Sequence, residues 1–485
     1  MAADAGFRSS QKRRLMPIPG VFYGGGCSYM ACRGLMMGGI EDVLLVTHGP
    51  VGCAYFAGIN GYRGGVEGER PRHAGRVFVT HMDEADVVFG GDGKLAAALD
   101  EAVRLYRPRA VAVCATCPVG LIGDDIVQVC AEAAERHGID VLPLSCEGFK
   151  SQPGWLHGGT QILDHWVGKE TKPCGEFSLH YMSESYEGER RGVLKGLFES
   201  IGYDVVCSLM GATSYEDIVR SQDARLVVLD SGKAIDAVPR IYQQRYGCGF
   251  MRVHLTGLGN IASSLRAMAA FYESDELAAR TEEVVAGELA RVSAEQDAWR
   301  AQFEGTLVAV FEDIFRSNDF ATLSGELGMD VIMVAQDYTA ETYTDEGFCV
   351  HVPLSVAEGL PTEARANCNL PEPGDAGAAV VGELPGCPHV LCPGHSRAWI
   401  RVRMGRRQVS ALLEAARPQL CFAGIEERFG YDGAQIRCEQ FLSDERGCDY
   451  VGFDGLGRFA RDVAMARDLS HWLTERPAWM EGGAR

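Results

Sequence analysis

Arg109-Ala-Val-Ala-Val-Cys-Ala-Thr-Cys-Pro-Val-Gly-Leu-Ile-Gly-Asp-Asp125 is the stretch on which the fold turns. Ala110–Ala115 is a continuous run of small and β-branched apolar residues, the composition of a strand buried on both faces. Pro118 and two glycines break it, and Asp125–His137 then takes up a helical spacing before a new apolar run, Val141–Leu144. This strand–turn–helix–strand unit recurs. Upstream it repeats as Val43–Val46 and Arg76–Thr80 with helix Lys94–Tyr106. A second series opens near Arg190, with strands Asp204–Leu209 and Leu226–Leu229 and helices Tyr215–Gln222 and Ala234–Arg245. After the charged helical stretch Asp275–Phe303, a third series runs through strand Leu307–Phe311, helix Ala321–Leu327, strand Val331–Val334 and strand Leu420–Ala423. Repeated βα units predict parallel sheets covered by helices, with ligand sites outside the carboxyl ends of the strands. The expected organisation is an α/β fold of three domains: 17–187, 188–305 and 306–485. Residues 1–16 read as a disordered arm. From about 341 to 401 the pattern fails amid seven prolines and many glycines, which predicts a surface insertion.

Composition narrows the function. The chain has 485 residues, which at roughly 150 per domain agrees with about three domains. Hydrophobic residues make up 46%, enough for large buried cores. Against 46 Lys and Arg stand 66 Asp and Glu, a formal charge of −20. Such an acidic chain lacks the basic surface needed to bind nucleic acid or an anionic membrane. No apolar run approaches the ~18–20 residues of a membrane span, and Met1–Arg14 has no apolar core of a secretory signal. A cytoplasmic location is expected. The oddity is 17 cysteines, which in a large intracellular chain read as reduced thiols, metal ligands and core residues.

Nucleotide motifs are weak here. The phosphate-loop pattern is absent, because Gly93-Lys94, Gly168-Lys169 and Gly232-Lys233 lack the following Ser or Thr. Gly257-Leu-Gly-Asn-Ile-Ala262 and Gly455-Leu-Gly-Arg-Phe-Ala460 both match the dinucleotide fingerprint, but two matches in different contexts read as turn glycines ahead of helices. A self-sufficient NAD enzyme or ATPase is not expected.

Three cysteines stand apart. Cys27 follows Gly24-Gly25-Gly26, Cys53 ends the loop Thr47-His-Gly-Pro-Val-Gly-Cys53, and Cys117 stands at the carboxyl end of the strand quoted above. Three thiols on glycine- or proline-flanked loops of one domain suit a large iron–sulfur cluster; the alternative is three buried core cysteines. The spacing fits no zinc or compact ferredoxin pattern.

At this point the residues resemble a known family. Gly26-Cys-Ser-Tyr29, Thr47-His-Gly-Pro-Val-Gly-Cys53, Val87-Val-Phe-Gly-Gly91, Cys117-Pro-Val-Gly-Leu-Ile-Gly-Asp-Asp125 and Cys146-Glu-Gly-Phe149 are similar to the α-type subunit of nitrogenase component 1. Gly424-Ile-Glu-Glu-Arg-Phe429, Gly452-Phe-Asp-Gly455 and Phe459-Ala-Arg-Asp462 continue the likeness, which spans about Gly20–Leu469. The resemblance implies three Rossmann-like parallel-sheet domains of the nitrogenase component 1 type, paired with a homologous β-type subunit as α2β2. It implies that Cys27, Cys53 and Cys117 hold half of a P-cluster-like 8Fe–7S iron–sulfur centre shared with that partner subunit. It also implies an ATP-hydrolysing iron protein as electron donor, since this chain has no phosphate loop.

The family's second metal site is where this sequence departs. Counted from Arg245-Tyr-Gly247, the cofactor Cys of the family falls on Ser231, beside Asp230; counted from Gly452-Phe-Asp-Gly455, its His falls on Leu442. Gln152 and His157 resemble pocket positions, with His157 as proton donor and Gln152 positioning, while Arg63 and Arg316 fall where the family places arginines facing an anionic cofactor. Structural salt bridges are the other reading of both arginines. Cys438, Cys448 and Cys248 are candidate replacement ligands, each also readable as a core thiol, and Asp230 or Ser231 offers oxygen, which iron–sulfur clusters take less readily. Cys387-Pro-His-Val-Leu-Cys392-Pro-Gly-His395 lies in the proline-rich insertion and reads as a structured loop. With a relay cluster expected and both cofactor ligands replaced, the resemblance favours a methylthio-alkane reductase, which keeps a second large iron–sulfur cofactor in a changed pocket and cleaves C–S bonds of small organosulfur molecules. A scaffold for assembling nitrogenase-type cofactors, a divergent nitrogenase and a tetrapyrrole reductase subunit are the alternatives.

Overall fold

The computed structural model describes residues 29, 32, 40, 42–54, 77–149, 154–183, 192–209, 213–230, 237–311, 317–335, 348–353, 399–404, 416, 418–422 and 450–469. The arm expected over 1–16 and most of the stretch 341–401 lie outside them. Contacts divide the chain into two compact units that part between Val253 and His254.

The first unit carries two parallel sheets. Strands β1 (Val43–His48), β2 (Val77–Val79), β3 (Ala110–Ala115) and β4 (Asp140–Leu144) form the first, in the order β2-β1-β3-β4. All its pairs are parallel, with Val43 opposite Ala110 and His48 opposite Ala115. Every residue of β1 and β3 is buried, which is why Val43–Val46 and Ala110–Ala115 read as unbroken apolar runs rather than alternating ones. The two faces pack against different partners. Leu44, Val46, Val111 and Val113 meet helices α2 (Asp92–Tyr106) and α4 (Ile126–His137) through Leu95, Leu99, Val129 and Cys130. Leu45, Ala112, Cys114 and Leu142 join a core with Cys32, Cys146, Trp166 and residues of the second sheet.

Local signals fix the helices. Short helix α1 (Glu84–Phe89) has a capping box, Asp83 accepting from the Ala85 and Asp86 N–H groups while Asp86 caps in return. Asp125 caps α4 by accepting from the Gln128 N–H, and Gly138 ends it in the left-handed conformation at φ 64°. Between them, α3 (Cys117–Ile122) follows β3 directly and stops at Gly123.

The second sheet has β5 (Ser178–Ser183), β6 (Asp204–Leu209), β7 (Leu226–Asp230) and β8 (Gly249–Val253) in the order β6-β5-β7-β8, again all parallel. Helices α5 (Gly154–His165), α6 (Val193–Ile201), α7 (Tyr215–Val219) and α8 (Ala237–Tyr246) connect these elements. Strand β5 precedes the helical run at which the sequence pattern opens this series. Its Ser-Leu-His-Tyr-Met-Ser is half polar, so composition hides a strand that is nonetheless buried throughout.

The second unit begins with α9 (Leu258–Phe271) and α10 (Asp275–Phe303), the latter capped by the Ser274 hydroxyl accepting from the Leu277 N–H. Strands β9 (Leu307–Phe311), β10 (Asp330–Ala335), β11 (Phe348–Pro353), β12 (Trp399–Met404) and β13 (Leu420–Phe422) form a sheet of order β12-β11-β10-β9-β13, with α11 (Ser317–Glu326) and α12 (Gly455–Leu469). Here the structure corrects the sequence reading. The stretch 341–401 is not wholly irregular, because β11 and β12 pair antiparallel near its two ends and extend the sheet. Pro353 is tolerated because it is the last residue of β11, beyond the residues that pair with β10.

His180, in the middle of β5, is completely buried, and neither ring nitrogen has a hydrogen-bond partner among the described residues. Its imidazole stands edge-on to Tyr242, ring centres 5.0 Å apart. Burial depresses its pKa from 6.5 to about 3, so the folded chain keeps this ring neutral. The unfolded chain takes up the proton first as pH falls. Stability from this group is therefore complete above pH 6.5 and drains away between there and about 3, with a slope approaching ~1.4 kcal/mol per pH unit. Urea midpoints measured from pH 7 to pH 4 are expected to fall less steeply in His180→Leu than in the native chain.

Candidate metal centre

In the first sheet β1 lies between β2 and β3, so the chain leaves β1 toward one side and β3 toward the other. Diverging loops at such a switch point leave a crevice outside the carboxyl ends of the strands, the usual ligand position in open α/β sheets. Two of the sequence-selected cysteines stand at that point. Cys53 lies in the helical turn after β1, its N–H bonded to the Pro50 carbonyl at 3.2 Å, and Cys117 is the first residue of α3 after β3. Both are half-buried. Cys27 lies outside the described residues. No group of three metal-binding side chains occurs among the described residues. Thiols on exposed-edge turns are the right donor chemistry for iron–sulfur groups.

The remaining thiols of this region are of another kind. Cys32, Cys114 and Cys146 are fully buried. Hydrogen bonding to Cys114 and Cys32, and then burial, hold the Cys146 thiol well above its ordinary pKa. Burial pushes Cys130 and Cys207 up to about 12. Such thiols stay protonated and pack as small apolar groups.

A network that sequence inspection did not single out runs beneath the two cysteine turns. His48, at the end of β1, is fully buried; its Nε2 lies 3.1 Å from Asp124 Oδ2 and its Nδ1 2.9 Å from Thr80 Oγ1. The Asp124 carboxylate needs a donor, which places the ring proton on Nε2, so in the neutral ring Nδ1 accepts from the Thr80 hydroxyl, whose oxygen in turn accepts from the Gly49 N–H at 3.0 Å. Burial lowers the His48 pKa against the opposing pull of Asp124, consistent with that neutral ring. Asp124 also accepts from the Gly91 N–H at 3.0 and 3.1 Å. Two glycines make room: a Cβ at Gly49 would lie 2.0 Å from Thr116 Oγ1, and one at Gly91 2.7 Å from Asp124 Oδ2. The only sequence signal was that His48, Gly49, Gly91, Thr116 and Asp124 fall within the quoted motifs; Thr80 carried none.

The second sheet has its own switch point between β5 and β7. There Ser183 pairs with Asp230, the last residue of β7, and Asp230 is buried. Ser231 follows outside the described residues, as do Leu442, Gln152, Arg63, Arg316, Cys438 and Cys448. His157 lies on α5, and its side chain is not among those described. Cys248 is placed at the other end of the sheet, ahead of β8, among core residues that include Cys207 and Tyr242; burial raises its pKa to about 11. It is thus separated from Asp230 by the length of the strand.

Both dinucleotide-like motifs have structural explanations. Gly257 precedes α9 and Gly455 opens α12. The free N–H groups of α9, where a pyrophosphate would sit, are taken by the buried carboxylate of Glu326, whose oxygens accept from Leu258 and Gly259 at 2.8 and 2.9 Å. In the second motif, a Cβ at Gly455 would stand 1.7 Å from the Tyr450 carbonyl oxygen, and one at Gly457 2.7 Å from Glu295. These glycines serve close packing.

The sequence matches the model of the family described as nitrogenase component 1 type oxidoreductase over residues 27–467. It is 30% identical to the nitrogenase molybdenum–iron protein alpha chain of Methanosarcina barkeri over 95% of this chain and 89% of that one. It is 31% identical to the nitrogenase iron–molybdenum cofactor biosynthesis protein NifE of Methanococcus maripaludis, over 65% of this chain and 66% of that one. Among solved structures, nitrogenase Cp1 at pH 6.5 superposes with a TM-score of 0.75 at 26% identity, covering 96% of this chain and 93% of that one. The chain belongs to the nitrogenase component 1 type oxidoreductase family, and its likeness is to the α-type chains. No helix among the described residues is long and apolar enough to cross a membrane.

With the α9 terminus already holding a carboxylate, calorimetric titration with NADH is expected to show no saturable binding. Saturable binding that Gly259→Val abolishes would contradict this account of the motif.

Proposed function

We propose that this chain is the α-type subunit of a nitrogenase-like reductase that cleaves C–S bonds of small organosulfur compounds, a methylthio-alkane reductase. One contrast carries the reading. The switch point of the first sheet presents the thiols of Cys53 and Cys117, whereas β7 at the second ends in Asp230, with Ser231 next, where the family resemblance calls for a thiolate ligand. An electron relay is thus retained while the substrate-site ligation is altered.

In this reading Cys53, Cys117 and Cys27 hold a P-cluster-like centre shared with a β-type subunit. The bound iron–sulfur groups supply low-potential electron transfer. Cleaving a methyl thioether to a thiol and methane consumes two electrons and two protons. The electrons come from a separate ATP-hydrolysing iron protein, since the chain has no phosphate loop of its own. Support for such a docking partner comes from Val88 and Phe89 on α1 and Leu121 on α3, which are 71, 87 and 76% exposed on packed neighbouring helices beside Cys117; apolar side chains clustered in water mark protein contacts. His157 holds a proton near the substrate, Gln152 orients it, and Arg63 and Arg316 offset the charge of a second large iron–sulfur cofactor. Cys438 and Cys448 are the replacement ligands to examine first. The division into three domains near 187 and 305 belongs to the same proposal.

The purified complex, supplied with its iron protein and ATP, is expected to release methanethiol and methane from dimethyl sulfide. A rate no higher than the enzyme-free control would sink the substrate assignment. In Cys117→Ala the complex is expected to lose most of its relay iron by metal analysis. The likeness to NifE favours one other reading, a scaffold on which a nitrogenase-type cofactor is built. Cluster transfer from the complex to an apo acceptor, without turnover, would select it.

A further inference from the structure

We propose that His48 is a positioning residue for the cysteine turns: its carbonyl secures one end of helix α3 and its imidazole the other, so that it sets where the Cys117 thiol stands relative to Cys53. The proposal rests on the reading of Cys53 and Cys117 as ligands of an iron–sulfur group.

Helix α3 has six residues, too few to hold its own shape in isolation. Its N-cap, Thr116, makes no side-chain capping bond to the helix. Instead Thr116 donates twice to the His48 carbonyl, from Oγ1 at 2.8 Å and from its N–H at 3.2 Å. Cys117 follows immediately, so the ligand-bearing end of the helix is tied to the end of β1. At the other end Gly123 turns the chain, with φ at 80°, into Asp124. The Asp124 carboxylate, 4% exposed, accepts from Nε2 of the same histidine, which is 0% exposed. Both ends of α3 are therefore pinned to one residue.

The ring itself cannot swing. Nδ1 accepts from Thr80 at the end of β2, and Thr80 in turn accepts from Gly49, the residue after His48. Asp124 is held by the Gly91 N–H at the start of α2. The absence of side chains at Gly49 and Gly91 lets Thr116 and Asp124 approach closely enough for these contacts. Five positions beyond His48 in the same turn comes Cys53. Through its carbonyl and its imidazole together, one buried residue thus references both ligand turns to three strand ends, which is the task of the outer shell around a metal group. Loss of such partners typically weakens metal retention about 10–100-fold.

The test uses the full complex with its partner subunit, with iron loss to a ferrous chelator and the electron paramagnetic resonance spectrum as readouts. His48→Leu is expected to release iron about tenfold faster and to show a changed spectrum, in complex that still elutes as assembled protein. His48→Gln, whose amide can donate to Asp124 and accept from Thr80, is expected to recover the native rate. A His48→Leu complex with native iron release and a native spectrum overturns the proposal. Should His48→Leu fail to assemble, Thr80→Val, which removes the donor to Nδ1, is measured instead; a faster release supports the proposal and a native rate overturns it. Cys117→Ala runs alongside: full iron retention there defeats the ligand reading itself, a failure distinct from native behaviour of the histidine variants in a complex that needs Cys117.

Discussion

Two parallel strands whose next neighbours lie on opposite sides cannot send their following loops the same way. β1 leads toward β2 and β3 toward β4, so the segments after His48 and Ala115 head for opposite edges of the sheet. That divergence follows from strand order alone, before any side chain is considered. It decides where Cys53 and Cys117 stand and which backbone atoms need other partners. The Thr116 N–H carries the ladder one step past Ala115 to the His48 carbonyl, and the Thr116 hydroxyl adds a second bond to the same oxygen. The second sheet repeats the arrangement at Ser183 and Asp230. The chemistry of the molecule is thus distributed by topology, and the residue types at each divergence decide what is done there.

Much of the fold could be read from the sequence, for a physical reason. Strands buried on both faces are rich in apolar residues, so the runs Val43–Val46, Ala110–Ala115 and Val205–Cys207 declare themselves. The turns that carry Cys53 and Cys117 were legible too, because glycine and proline mark where the strands end. The misses share a different cause. β5 buries Ser178, His180 and Ser183, and composition alone gives no warning that a half-polar segment will be central. Phe348–Pro353 and Trp399–Met404 pair with each other across an intervening proline-rich stretch, a partnership no local window can contain. His48 is the sharpest case. Its ring contacts are to residues 32 and 76 positions away, so nothing near it in the sequence says that it is buried, neutral and bonded at both nitrogens.

The surplus of cysteine resolves along the same line. Cys114 and Cys117 are three residues apart on one strand and its exit, yet one is sealed within the core and the other is half-exposed at the crevice. Burial keeps thiols such as Cys130, Cys146 and Cys207 protonated and chemically quiet. A cysteine becomes useful to iron only where the sheet stops covering it. Counting thiols in a chain of this family therefore overstates its capacity for metal, and position relative to strand ends is the better guide.

Glu326 has a meaning beyond its hydrogen bonds. A helix terminus that draws its anion from solution is a sensor, because its occupancy follows the concentration of whatever it binds. One that draws its anion from its own chain has the same electrostatics at every concentration. By seating a carboxylate from α11 against Leu258 and Gly259, the second unit has made the start of α9 deaf to the phosphates of the cell. Abundant nucleotides therefore find no anion site at this terminus.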